Sequence, residues 1–216
     1  IADIPRGAPT VFSAHGVSRA VLAESLARGL EIVDATCPLV AKVHAQAQRF
    51  VREGRTLIVI GHAGHDEIEG TIGSVDAPVH LVATLADIAA LPFAADRPAA
   101  YVTQTTLSLD ETRGLIDALR QRFGNLAGPD LDDICYATQN RQVAVRMLAR
   151  QAELLIIVGS RRSSNAARLR EVGESQGRRA HLVEDAGELD PAWLQGVERI
   201  GVSAGASTPE RLVQQV

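Results

Sequence analysis

Two cysteines occupy matching positions of an internal repeat in this chain, and thiols in such positions could share one ligand. Cys37 is separated from Gly61 by the same 24 positions that separate Cys135 from Gly159. A helix-like segment and an apolar run lie between cysteine and glycine in both copies. A lone free cysteine is usually a small buried hydrophobe, but the matched placement favours a shared ligand near a symmetry axis. With a third thiol, the candidates are an iron–sulfur cluster with one open iron and a three-cysteine zinc site.

A polar cluster follows the apolar run of the first copy and contains His62, His65 and Glu67. Two imidazoles and a carboxylate suit zinc or iron, but His-x-x-His in a loop lacks the spacing that directs both rings at one ion. General acid–base chemistry is the better interpretation, because Glu67 with Thr105 or His65 in reach could relay a proton. The simplest alternative is that Glu67 only favours a helix N-terminus through the helix dipole.

Hydroxyl and amide side chains fill the loops that follow the predicted strands. Ser163, Ser164 and Asn165 lie in one such loop, and Ser207 lies in another. Backbone N–H groups and the helix dipole make these places suitable for phosphate, although each serine could be only a helix cap. The sequence contains no dinucleotide-binding G-x-G-x-x-G and no P-loop motif. We therefore expect any bound phosphate to belong to a small molecule.

Alternating strand-like and helix-like segments must position these residues, and they predict an α/β fold. The apolar runs 57–60 and 154–158 are typical of strands buried on both faces of a parallel sheet. Pro38 directly after Cys37 places that cysteine at or beside a helix N-terminus. The order of segments predicts stacked α/β/α units with mainly parallel sheets.

A third, incomplete copy of the repeat precedes the other two. Segment 12–18 has the order of strand, hydroxyl-rich loop and helix that segments 102–106 and 202–207 also have. The missing half is the one that would carry a third cysteine, so we expect the chain to be a fragment that lacks its N-terminal half-repeat. The predicted boundaries are 1–36 for the partial first α/β unit, 37–131 for the second and 132–216 for the third.

Composition and charge narrow the range of partners. A formal net charge of -4 and an aromatic content of 3% argue against a nucleic-acid surface. No apolar run approaches the roughly 20 residues that span a bilayer, and no signal peptide opens the chain. We expect a cytoplasmic protein with a small-molecule substrate and with neither a nucleic-acid nor a membrane partner.

Seven ordered motifs resemble those of the 4-hydroxy-3-methylbut-2-enyl diphosphate reductase family, which completes the methylerythritol phosphate route to isoprenoids. The motifs span essentially the whole chain: FSAHGVS (12–18), DATCPLV (34–40), GHAGHDE (61–67), TQTTLS (103–108), CYATQNRQ (135–142), SSN (163–165) and AGAS (204–207). The resemblance implies a trefoil-like arrangement of three pseudo-repeated α/β/α units around a [4Fe-4S] cluster. It implies that Cys37 and Cys135 are two of three cysteine ligands, the third being missing from this chain.

The resemblance also implies an oxidoreductase activity: reductive dehydroxylation of the substrate at the open iron of the cluster. Two electrons and two protons would remove the allylic hydroxyl as water and give isopentenyl and dimethylallyl diphosphate. Glu67 would be the proton donor, assisted by Thr105, and Thr138 would be a pocket residue. The residues implied to bind the diphosphate are His15, His65, Ser163, Ser164, Asn165 and Ser207. The implied electron donor is a ferredoxin or a flavodoxin.

Three hypotheses for function follow from the sequence. The first is the reductase, and because one cysteine is missing we expect these 216 residues to be inactive alone. The second is a sugar-phosphate binding or isomerase module that uses the Ser/Thr-rich loops and needs no cysteine. The third is a non-catalytic, binding-only remnant of the reductase family.

Overall fold

The computed structural model describes residues 1–129 and 134–216, which form two compact units. The first unit comprises residues 1–105 and 110–129, and the second comprises Thr106–Leu109 and Ile134–Val216. The elements from residue 1 to residue 129 are β1 (Pro9–Phe12), α1 (Arg19–Ala27), β2 (Glu31–Asp34), α2 (Pro38–Arg52), β3 (Thr56–Ile60), α3 (Asp66–Ile72), β4 (Val79–Val82), α4 (Leu85–Ala89), β5 (Ala99–Thr103), α5 (Leu109–Arg122) and β6 (Leu126–Ala127).

The elements from residue 134 onward continue the alternation of helices and strands. They are α6 (Tyr136–Gln151), β7 (Leu154–Val158), α7 (Ser164–Ser175), β8 (Arg179–Val183), a 3-10 turn (Ala186–Glu188), α8 (Pro191–Leu194), β9 (Ile200–Ala204) and α9 (Glu210–Val213). Within the described residues, no helix is both long enough and apolar enough to cross a membrane.

In the part of the chain that the structure describes, parallel strands build three sheets, two in the first unit and one in the second. The strand orders are β1-β2 and β4-β3-β5-β6 in the first unit and β8-β7-β9 in the second. Every strand pair among the described residues is parallel. The predicted α/β class with mainly parallel sheets is therefore confirmed.

The central strands β3 and β7 are deeply buried in their units. Residues 57–60 of β3 have no exposed surface, and in β7 only Ile156, at 2%, has any. On one face of β3 pack Val43, Ala47 and Phe50 of α2, and the matching face of β7 packs on α6 and α7. Burial on both faces is what a continuous apolar run of this length predicts for a parallel sheet.

The internal repeat predicted from the sequence has the same topology in both complete copies. Helix α2 leads into β3, which lies between β4 and β5, and α6 leads into β7, which lies between β8 and β9. The partial copy β1–α1–β2 has the topology of β5–α5–β6, because the two strands pair in parallel across a helix in both. The repeat is thus a property of the fold as well as of the sequence.

The two cysteines hold the same position in the backbone. Cys37 caps α2 with φ -57° and ψ 132°, and Cys135 caps α6 with φ -52° and ψ 126°. Helix α6 begins at Tyr136, directly after Cys135, as α2 begins directly after Cys37. The reason is the repeat itself, since Cys135 takes the cap position that Cys37 takes in the first copy.

Two domain boundaries were predicted from the sequence. The boundary between residues 131 and 132 lies outside the described residues. The boundary between residues 36 and 37 stays a prediction.

Candidate functional site

In the first unit, the loops after β3 and β5 begin side by side at the carboxyl edge of the sheet. The register pairs Ile60 with Thr103, and the N–H of Gln104 donates to the carbonyl oxygen of Ile60 at 2.9 Å. Ligand-binding loops of parallel sheets lie at this edge. Glu67 is in the first turn of α3, which follows one loop, and Thr105 is in the other loop.

Glu67 and Thr105 form a buried hydrogen-bonded pair. The backbone N–H of Thr105 donates to Glu67 Oε1 at 2.7 Å, and the Thr105 hydroxyl lies 2.9 Å from Glu67 Oε2. The Glu67 side chain is 1% exposed and Thr105 is 5% exposed. The carboxyl group is thus held through both oxygens, which fixes its orientation.

The surroundings of Glu67 shift the pKa of its carboxyl group upward from the ordinary value of 4.5. Burial raises the pKa of Glu67, and the two hydrogen bonds from Thr105 and the nearby His15 oppose the rise without cancelling it. A protonated Oε2 can donate to the Thr105 hydroxyl oxygen, which can pass on its own proton. Glu67 and Thr105 are therefore close enough for proton transfer between them, and their roles as proton donor and relay stay predictions.

His65 lies at the N-cap of α3 and points one defined nitrogen away from the helix. Its Nδ1 accepts the N–H of Glu67 at 3.2 Å, so the proton of the neutral ring is on Nε2. Burial lowers the pKa of His65, the neighbouring His15 lowers it further, and Asp66 acts in the opposite direction. Neutral His65 thus presents an Nε2–H donor, which suits a phosphate oxygen.

His15 lies in the loop after β1 and meets His65 edge to face, with 5.6 Å between the ring centroids. The Ser13 hydroxyl lies 3.2 Å from His15 Nδ1. The next residue, Gly16, has φ +74°, and a Cβ there would lie 2.9 Å from Cε1 of His44. Glycine is required at this turn, because a side chain would be strained and would push the His15 loop off α2.

Each cysteine lies half-buried at the N-terminus of a long helix. The N–H of Cys37 donates to the carbonyl oxygen of Ala14 at 3.0 Å, which joins the start of α2 to the His15 loop. Cys135 has the matching position in the second unit, and neither thiol is in a disulfide. Cysteine thiolates ligate metals and iron–sulfur clusters, so both half-buried positions suit such a ligand.

The second unit organises its polar residues around Asn165. The side-chain Oδ1 accepts the N–H of Ala206 at 2.8 Å, and Nδ2 lies 3.4 Å from the Thr138 hydroxyl. Asn165 and Thr138 are 6% and 2% exposed. One side chain thereby joins the start of α7 to helix α6 and to the loop after β9, and the structure brings Thr138 and Asn165 together.

The three predicted serines have different surroundings. Ser163 caps α7, with its hydroxyl oxygen accepting the N–H of Ala166 at 3.3 Å, so its O–H remains a donor for another group. The hydroxyl of Ser164 lies 3.1 Å from that of Thr106. Ser207 is exposed next to Ala206, in the loop that Asn165 holds.

Two residues of this region were not singled out from the sequence. Thr106 adjoins Ser164, and Gln142 of α6 binds the backbone of Leu107 and Leu109. Both lie within the quoted motifs, but a threonine and a glutamine next to obvious candidates carry no separate signal. Only the tertiary contacts distinguish them.

The geometry does not favour metal ligation by His62, His65 and Glu67. His65 Nδ1 and both Glu67 oxygens already engage a backbone N–H or Thr105. In the described parts of the chain, no group of three or more His, Cys, Asp or Glu side chains has the arrangement of a metal site. The two thiols remain the chemically suited donors, because cysteine thiolates ligate iron–sulfur clusters.

Comparison with known proteins gives consistent matches along the whole chain. A family model described as "LytB protein" matches residues 2–216. The 4-hydroxy-3-methylbut-2-enyl diphosphate reductase of Zymomonas mobilis is 56% identical over 216 residues, which are 100% of this chain and 64% of that protein. A reductase of the same name, numbered 1, from Rhodopseudomonas palustris is 53% identical over 216 residues, which are 71% of its length.

A solved structure matches as well. The E-1-hydroxy-2-methyl-but-2-enyl-4-diphosphate reductase from Plasmodium falciparum superposes with a TM-score of 0.94 at 36% identity. The match covers 99% of this chain and 67% of that one. The chain thus spans about two thirds of the length of these relatives.

Proposed function

The chain belongs to the LytB protein family of 4-hydroxy-3-methylbut-2-enyl diphosphate reductases, and on that premise we propose that it carries the proton-donating and substrate-binding residues of such a reductase. The family predicted from the seven motifs is confirmed. The proposed reaction removes the allylic hydroxyl of the substrate as water, with two electrons and two protons. The products are isopentenyl and dimethylallyl diphosphate.

The observation that supports the proposal best is the buried Glu67 paired with Thr105. The reaction needs a proton at the departing hydroxyl, and a carboxyl group with a raised pKa retains that proton at a higher pH than an exposed glutamate does. Its two hydrogen bonds to Thr105 hold it in one orientation. We assign Glu67 as the proton donor and the Thr105 hydroxyl as its relay.

The diphosphate is assigned to neutral donors. The Nε2–H of His65, the hydroxyls of Ser163 and Ser164 and the N-terminus of the twelve-residue helix α7 are suited to anionic oxygens. His15, Asn165 and Ser207 complete the assigned set, and Thr138 is assigned to the pocket. Asn165 has a positioning component, since it holds the loop of Ser207 through Ala206.

The iron–sulfur cluster is part of the proposal. Cys37 and Cys135 would supply two of its protein ligands, and their half-buried, matched positions at helix N-termini fit that role. When bound, a [4Fe-4S] cluster supplies electrons and a Lewis-acidic iron. The sequence contains two cysteines, so the third ligand that the family resemblance implies is not among these residues.

The remaining assignments follow from family membership. We propose a ferredoxin or flavodoxin as the electron donor and the cytoplasm as the location. The sugar-phosphate module considered from the sequence is not favoured, because the relatives in the comparison are named as reductases.

The proposal is tested with the full-length protein, prepared without oxygen and supplied with a chemical reductant and substrate. Glu67→Gln should lower kcat by about 10²- to 10⁴-fold, the range for general acid catalysis. Glu69→Gln is the matched control, because Glu69 is exposed on the same helix, and it should leave kcat within about twofold. Equal turnover of wild type and Glu67→Gln would remove Glu67 from the mechanism, and an inactive wild type would refute the proposed function.

A further inference from the structure

A fully buried carboxamide on α6 binds a short segment of the chain at the start of α5. Nε2 of Gln142 donates to the carbonyl oxygen of Leu107 at 2.9 Å, and Oε1 accepts the N–H of Leu109 at 3.3 Å. Gln142 is 0% exposed. Leu109 is the first residue of α5, where a backbone N–H has no partner within the helix, so Gln142 supplies an acceptor that the helix needs.

The segment held by Gln142 begins next to a predicted substrate-binding serine. Thr106 directly precedes Leu107, and its hydroxyl lies 3.1 Å from the hydroxyl of Ser164. Thr106–Leu109 and α6 belong to the same compact unit. Gln142 is also one helical turn after Thr138, on the same face of α6. A single side chain thus connects the helix of Thr138 to the backbone that carries Thr106.

We propose that Gln142 is a positioning residue, whose carboxamide fixes Leu107–Leu109 on α6 and thereby places the Thr106 hydroxyl beside Ser164 for diphosphate binding. The identification of Ser164 as a substrate residue rests on the proposed function. Gln142 itself touches neither substrate nor cofactor in this assignment. Its effect is transmitted through two hydrogen bonds and the short backbone path to Thr106.

The competing explanation is that Gln142 only fills space in the core of its unit. Gln142→Met separates the two explanations, because methionine has a similar volume but makes neither hydrogen bond. Val145→Ala is the control, since Val145 is a fully buried core residue of the same helix. It lowers stability through a cavity and leaves the carboxamide of Gln142 in place.

The experiment uses the full-length protein and inorganic diphosphate as the probe, with hydrogen exchange and titration calorimetry as readouts. Gln142→Met should speed exchange of the Leu109 amide and weaken diphosphate binding by about tenfold, as expected for lost positioning hydrogen bonds. Val145→Ala should leave the exchange rate of the Leu109 amide and the affinity for diphosphate within about twofold of wild type. Unchanged Leu109 exchange in Gln142→Met, or faster exchange with unchanged affinity, would overturn the inference.

A conservative variant provides a rescue test. In Gln142→Glu, a protonated carboxyl can donate to Leu107 and accept from Leu109, whereas the ionised form can only accept. The ratio of its diphosphate affinity to that of wild type should therefore approach one as the pH falls, while the ratio for Gln142→Met stays constant. A constant ratio for both variants would contradict the role of the donated hydrogen bond. Neither hydrogen exchange nor diphosphate titration requires turnover, so a failed reductase assay would refute the proposed function separately.

Discussion

The two copies that start at Cys37 and Cys135 agree up to their matched glycines, Gly61 and Gly159, and differ beyond them. Before the glycines, the caps have nearly equal backbone angles and the central strands have the same neighbours. Beyond the glycines, the backbone still repeats, but the polar side chains at matched positions differ. His65 and Glu67 of the first copy correspond to Ser163 and Asn165 of the second. The matched part begins with the two cysteines of the proposed cluster, and the changed part contains Glu67 in one copy and Asn165 in the other.

Glu67 and Asn165 occupy matched positions of the two copies, and their hydrogen bonds are partly the same and partly different. Glu67 Oε1 accepts the N–H of Thr105 at 2.7 Å, and Asn165 Oδ1 accepts the N–H of Ala206 at 2.8 Å. Both acceptors therefore hold the loop after the neighbouring strand in the same way. The second polar atom differs, because Glu67 offers an ionisable oxygen to a hydroxyl and Asn165 offers an amide donor to Thr138. The same scaffold position thus holds an ionisable carboxyl group in one copy and a neutral amide in the other.

We expect the largest effect from replacing the two matched cysteines. Cys37→Ser and Cys135→Ser should each abolish turnover in the anaerobic full-length protein and reduce bound iron and sulfide, because both thiols are assigned to one cluster. Iron and sulfide analysis with a reductase assay measures the effect. A variant that retains full iron content and activity would show that its cysteine is an ordinary buried residue and that the symmetry has no chemical meaning.

The second largest expected effect concerns Asn165, the neutral residue of the second copy that matches Glu67. Asn165→Asp keeps the acceptor for Ala206 but places a negative charge where the diphosphate is assigned, so affinity for inorganic diphosphate should fall by about 10- to 100-fold. Ser175→Asp is the control, since it adds the same charge at the exposed far end of α7. Equal affinities of Asn165→Asp and wild type in calorimetry would place the diphosphate elsewhere.

The two copies also show which structural elements can be predicted from the sequence. Apolar runs at 57–60 and 154–158 predict the two central strands, because only a strand buried on both faces needs so many consecutive branched side chains. Pro38 predicts the helix start after Cys37, because proline is accommodated where no N–H partner is required. The equal spacing of the two copies then transfers that start to the position after Cys135, where α6 begins at Tyr136.

The contacts within the loops were less accessible from the sequence. Glu67 and Thr105 could be suggested as partners, but the burial that raises the pKa of Glu67 depends on tertiary packing. Gln142 could not be distinguished from any other helical glutamine, since its two hydrogen bonds reach a segment 33 and 35 positions away. Local patterns specify elements, whereas these roles depend on which elements meet.

A smaller effect concerns Glu67 and the way in which the free energy of unfolding depends on pH. The folded-state pKa of Glu67 is raised above its ordinary value of 4.5, so its contribution to stability is complete below that pH and is lost as the pH rises through the raised pKa. The free energy of unfolding of wild type relative to Glu67→Gln should therefore fall over that range. Urea denaturation at several pH values measures it, with Glu69→Gln as the exposed control. A difference that is constant with pH would show that Glu67 titrates normally.

The smallest effect distinguishes the two N-caps, His65 of α3 and Ser163 of α7, which also occupy matched positions. Ser163→Ala should lower the free energy of unfolding by about 1 kcal/mol at every pH, because a lost cap leaves a helix N–H without its partner. His65→Asn keeps a capping side chain but removes titration. Burial lowers the pKa of His65 below its ordinary value of 6.5, so the folded state binds fewer protons there and wild type should lose stability relative to His65→Asn as the pH falls below 6.5. Thermal unfolding across that window tests both, and a pH-dependent deficit for Ser163→Ala with a constant one for His65→Asn would reverse the assignment of the titrating cap to the first copy.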